Sequence, residues 1–173
     1  MRPESTVQSS SARRVLLIAY GNPLRNDDGM AWRAAEELER RLSPRKATIL
    51  RRHQLVPELA EDLRHYDTVI FVDAAVAANG SGRPGEVRVE EVQPEQSPVE
   101  VHFSHQFRPG TLLAMAGQLY NAKPRAFCVT VTGENFEHGE LLSKSVESSL
   151  PELLGRIEGL IREPESRAVL GGR

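Results

Sequence analysis

Hydrophobic positions along this chain follow two alternating rhythms. Val15 to Ile18 (VLLI), Thr68 to Asp73 (TVIFVD) and Arg125 to Thr132 (RAFCVTVT) are short, nearly continuous apolar runs, the pattern of strands covered on both faces. Between them apolar residues recur every three or four positions. Met30, Ala34, Leu38 and Leu42 do so, with Ala31 and Ala35 beside them and Glu36, Glu37, Glu39 and Arg40 mostly opposite. Leu112, Leu113, Ala116 and Leu119 follow Pro109 in the same way, as do Val146, Leu150, Leu153, Ile157 and Leu160 further on. These stretches predict amphipathic helices, the first ended before Pro44 and the last kinked at Pro151. A more exposed strand is predicted over 47–53 (ATILRRH), and a short helix opens at Pro57. Glu86 to Val92 (EVRVEEV) alternates as a half-exposed edge strand or hairpin arm.

Alternation of strand and helix predicts an α/β fold: a three-layer open sheet, mostly parallel, with helices on both faces and one antiparallel edge strand or hairpin arm. Ligands of such sheets bind outside the carboxyl ends of the strands, where the strand order reverses. An order beginning 2-1-3 makes the first and third strands neighbours at that crevice. The loop after the first strand, GNPLRNDDG, would then lie beside Asp73.

Composition narrows the possibilities. A chain of 173 residues suits one domain, expected over 13–162, with a disordered polar, Ser-rich tail at 1–12 and a loosely ordered one at 163–173. Lys and Arg total 22 against 24 for Asp and Glu, so nothing suggests a nucleic acid or anionic membrane partner. No run reaches the ~18 apolar residues of a membrane span and the first residues lack a signal's apolar core, so a cytoplasmic address is expected; the chain is separately expected to be a monomer. The single cysteine, Cys128, lies in an apolar strand and reads as an inert thiol. The GxSxG, GxxxxGK[ST] and GxGxxG patterns are absent, which removes three common α/β chemistries.

Gly21, Asn22 and Pro23 turn the chain sharply after the first strand, and Asp27 and Asp28 follow where a helical pattern begins. One carboxylate there is explained by helix capping; two are explained less well. Asp73 leaves a buried strand at its functional end, and His105 stands just ahead of a helix. Two carboxylates and an imidazole from three loops make an open metal-binding set. His53 and Gln54 end the second strand near the same edge and are candidates for support. His65 and His138 read as surface residues, and His102 has only an HxxH spacing to His105.

GNPLRNDDG, VIFVDA, SHQFRPGTLLAMAGQLY and VTVTGENFEHGELLS together resemble the nickel-iron hydrogenase maturation endopeptidases, from about Val15 to Ile161. HQLVPELAEDL after the second strand is similar to one branch of that family, in which it replaces a DGG segment. The resemblance implies an aspartic-type endopeptidase that trims the C-terminal extension from the precursor of the hydrogenase large subunit after nickel insertion. Nickel would be supplied by the substrate, with no tightly bound organic cofactor. Asp28, Asp73 and His105 would be the metal-ligating and catalytic residues, supported by Gly21, Asn22, Asp27 and Gln54. Family members often carry Val-Gly after DDG, where this chain has Met30-Ala31.

Three rival readings remain. One is a hydrolase holding its own catalytic metal, and another a hydrogenase-binding chaperone that has lost cleavage. A phosphoacceptor signalling module also uses an acidic pair and a third-strand Asp. Such a module places its pair at the strand's end and a Lys after its last strand, whereas here the pair comes later in the loop and Val129 to Gly133 contains no Lys.

Overall fold

The computed structural model describes residues 13–77, 82–96 and 107–163. The expected tails, apart from Glu163, and the stretch bearing His102 and His105 lie outside these residues. Five strands form one sheet in the order β2-β1-β3-β5-β4: β1 Val15–Tyr20, β2 Thr48–Arg52, β3 Thr68–Val76, β4 Val87–Val92 and β5 Arg125–Gly133. All pairings are parallel except that of β4 with β5, so the edge strand is antiparallel as its alternation implied. The helices are α1 Met30–Arg41, α2 Leu59–Leu63, α3 Pro109–Tyr120 and α4 Lys144–Arg162.

Each central strand feeds two cores because its side chains alternate between faces. Leu17, Ala19, Ile70, Val72, Val129 and Val131 pack with Met30, Ala34 and Leu38 of α1 and with Leu153 and Ile157 of α4. Leu16, Ile18, Val69 and Phe71 pack with Leu59 and Leu63 of α2 and with Leu112 and Ala116 of α3. Met30 and Ala31 are fully buried, so this chain's Ala is accommodated at a close helix-sheet contact.

Three local expectations change. Asp27 and Asp28 sit not at the start of α1 but in a separate 3-10 turn, Asn26–Gly29, ahead of it. α4 is one continuous helix through Pro151, capped by Ser143, whose hydroxyl accepts from the Val146 N–H. β3 does not stop at Asp73: pairing with β1 ends at Ala19 and Val72, while pairing with β5 continues from Asp73 opposite Thr130 to Val76 opposite Gly133. Asp73 therefore stands on a strand just where its neighbour β1 falls away, which opens the crevice at the reversal of strand order. Among the described residues no helix is long and apolar enough to cross a membrane.

Candidate active site

The loop after β1 is built by backbone contact. Gly21 has φ +141°, and a Cβ there would overlap the carbonyl oxygen of Asp28, so only glycine lets the end of β1 and the 3-10 turn touch. The Gly21 N–H donates to the Arg52 carbonyl at 3.1 Å, tying the loop to β2. Asn22 donates its N–H to Asp28 Oδ2 at 2.8 Å, and its own Oδ1 accepts from the Leu24 N–H at 2.9 Å. Asp28 is thereby folded back over the strand end. It lines a cavity of about 270 Å³ together with Tyr20, Gly21, Arg25, His53, Gln54, Leu55, Asp73, Ala74, Val76, Phe107 and Phe136.

Asp73 and Asp28, separated by 45 positions in the sequence, thus share one pocket. Burial pushes the Asp73 carboxyl up to about 7, and the Asp28 charge pushes in the same direction, against the Tyr20 hydroxyl and the Ala74 N–H, which favour the ionised form. Tyr20 holds its proton tightly, because burial and the Asp73 charge both disfavour a phenolate. Cys128 is half-buried, and burial, with the charges of Asp73 and Glu90, pushes its thiol up to about 12, consistent with an inert role.

Asp27 faces elsewhere. It is fully buried, and its carboxylate accepts from the N–H groups of Glu134 at 2.9 Å, Asn135 at 2.9 Å and Ser143 at 2.7 Å. Burial alone would raise its pKa, but the N–H groups of Ser143, Asn135 and Glu134 outweigh it and hold the carboxyl below its usual range. Asn26 joins this clamp, donating to the Glu137 carbonyl and accepting from the Leu141 N–H. Gly133 leaves room for it: a Cβ there would lie 3.0 Å from the Asp27 Cβ and 2.6 Å from the Phe136 ring. The clamp locks the loop carrying Asp28 to the segment 133–143, and it brings Phe136 to the pocket.

Of the supporting residues read from sequence, Gly21 and Gln54 line the pocket, Asn22 braces Asp28, and Asp27 does not line it. His53 is exposed at the rim and packs against the Trp32 ring at 5.1 Å between centroids; the Trp32 indole in turn donates to the Arg52 carbonyl. His65 and His138 are exposed. Among the described residues no three of His, Cys, Asp and Glu cluster closely enough to hold a metal ion. The described donors are the carboxylates of Asp28 and Asp73, which suit a hard or borderline cation but leave its coordination open. His105 lies outside the described residues; Phe107, two positions later, lines the pocket.

No family model matches the chain, and no curated protein matches its sequence. Solved structures do. The hydrogenase maturating endopeptidase HybD from E. coli is similar with a TM-score of 0.69 and 24% identity, covering 86% of this chain and 92% of its own. The [NiFe] hydrogenase maturation protease HybD from Thermococcus kodakarensis is similar with a TM-score of 0.66 at 19% identity, over 86% of this chain and 99% of its own. The HycI protease of Thermococcus kodakarensis gives 0.65 and 18%, over 89% and 96%. The chain has the fold of the hydrogenase maturation endopeptidases.

Within that fold the pocket joins two acids, the Arg25 guanidinium, the His53 ring and an apolar wall of Leu55, Val76, Phe107 and Phe136. Such a site can bind a cation on its acidic floor and hold an extended peptide against its wall. Tyr20, Arg25 and Phe136 were missed by sequence reasoning. Strand register could have found Tyr20, since Leu16, Ile18 and Tyr20 alternate onto the face that Val69, Phe71 and Asp73 share.

Proposed function

We propose that this protein is an endopeptidase that matures a nickel-iron hydrogenase, removing the C-terminal extension of the large-subunit precursor once nickel is in place. The observation that carries the reading is the meeting of Asp28 and Asp73 in one pocket at the β1/β3 crevice, within the endopeptidase fold. The protein works as a cytoplasmic monomer on a macromolecular substrate whose metal is part of that substrate.

Asp28 and Asp73, with His105, receive the metal centre of the loaded precursor and so fix the scissile bond over the pocket. Orientation of this kind can supply on the order of 10⁵ M or more in effective concentration, so an empty precursor, which cannot be gripped, stays uncut. Asn22 and Gly21 keep the Asp28 carboxylate folded over the strand end. Leu55, Val76, Phe107 and Phe136 keep bulk water from the acyl group until a single water is placed for attack.

Incubating the protein with nickel-loaded and nickel-free precursor and following the mass of the large subunit tests this. The loaded form is expected to lose its extension and the empty form to persist, while Asp28→Asn and Asp73→Asn each slow processing by about 10²-fold or more. Equal cleavage of both precursors would remove the metal checkpoint. A stoichiometric ion retained by the purified protein would instead favour a hydrolase with its own metal.

A further inference from the structure

We infer that Arg25 is a catalytic residue of this pocket: its guanidinium binds the acyl oxygen of the scissile peptide bond and stabilises the oxyanion formed there. The inference rests on the endopeptidase reading above and adds to it a group outside the metal-ligating set.

Arg25 opens the 3-10 turn that carries Asp28, and it is the one Lys or Arg side chain among the described residues that line the pocket. Its position is determined at three points. The backbone bridges to Gly139, its carbonyl accepts from the Asp28 N–H at 3.1 Å, and its Nε–H donates to the Phe136 carbonyl at 3.1 Å. The Nε tether uses the inner edge of the fork and leaves the outer Nη groups for another partner. Neither Asp28 nor Asp73 takes them, for Arg25 forms no ion pair among the described residues. A cation placed only to neutralise the acids would touch one of them. An exposed guanidinium held beside two carboxylates, but not paired with either, is oriented for an oxygen that arrives with the substrate.

The chemistry of peptide hydrolysis supplies that oxygen. Water adds to the acyl carbon and negative charge gathers on the former carbonyl oxygen. The C–N bond then breaks, the water oxygen remains in the new carboxylate, and its two protons leave with the amine as an ammonium group. In the ionised form that grips a cation, Asp28 and Asp73 offer an oxyanion no donor, whereas a pre-oriented donor with full positive charge stabilises it. The rings of Phe136 and Phe107 line the same pocket beside it.

Steady-state kinetics on nickel-loaded precursor, with Arg25→Gln and Arg25→Lys beside the wild type, test the assignment. Arg25→Gln is expected to lower kcat by about 10²-fold with KM within about threefold, since an oxyanion donor acts in the transition state. Arg25→Lys should recover at least about tenfold of that loss, because charge is restored without the planar fork. Both variants should melt within a few degrees of the wild type. A kcat for Arg25→Gln within threefold of wild type, a loss confined to KM, or no recovery by folded Arg25→Lys would each overturn the inference while leaving the endopeptidase reading intact. A wild-type protein that cleaves neither precursor would bring down both.

Discussion

Asp27 is fully buried against the segment 133–143 with three backbone N–H groups on its carboxylate, whereas Asp28 and Asp73 meet in an open pocket with one backbone N–H each among the described residues. The contrast teaches how one residue type does two jobs at one sheet edge. Where donors converge on the charge, burial is more than offset and the carboxylate becomes a structural anion. Where donors are fewer and a second acid lies close, burial is not offset and the Asp73 carboxyl is pushed up instead.

Substitutions can break this contrast. The largest effect is expected from Asp27→Ala, which strands three N–H groups and unlocks the segment 133–143; urea unfolding should show a loss of about 3–5 kcal/mol. A loss below ~1 kcal/mol would show that the clamp is not structural. Because its carboxyl is held below the usual range, the stabilisation from Asp27 is present above about pH 4 and disappears as pH falls through its folded value.

Asp73→Asn should have the opposite sign. The carboxyl of Asp73 is raised to about 7, so the native state holds its proton longer than the unfolded chain does and loses stability as pH rises from about 4 to about 7. In metal-free protein Asp73→Asn is therefore expected to stabilise by about 1–3 kcal/mol at pH 8 and to do little at pH 4, read from melting curves at the two pH values. A destabilisation of Asp73→Asn that is independent of pH would sink the account of a buried charge that its donors do not offset.

The smallest effect belongs to Asp28→Asn. With a single N–H from Asn22 on its carboxylate, the substitution should change stability by no more than about 1 kcal/mol. It should also lower the Asp73 pKa, by removing the neighbouring charge, a shift that carboxyl NMR titration would detect. An unchanged Asp73 would mean that the two acids do not feel each other.

Much of the architecture was legible because the signals are local. The apolar runs of β1, β3 and β5 and the three- or four-residue spacing in α1 and α4 record their own periods, and the crossover rules then leave few orders besides 2-1-3. The pairing of Asp28 with Asp73 was legible through that order. The division of labour within the Asp pair was not, because it depends on three N–H groups about 110 positions away in the chain. Arg25 and Phe136 escaped for the same reason: their tether joins two loops that only the fold brings together.

What the sequence determined by itself is the succession of elements and the residue types available at the carboxyl edge, since hydrophobic period and turn chemistry act over a few residues. Which carboxylate faces the pocket, how far β3 runs past β1, and where the Arg25 guanidinium is held were decided by tertiary structure. Hydrogen bonds and desolvation depend on what lies across space, and a chain read in order does not list those neighbours.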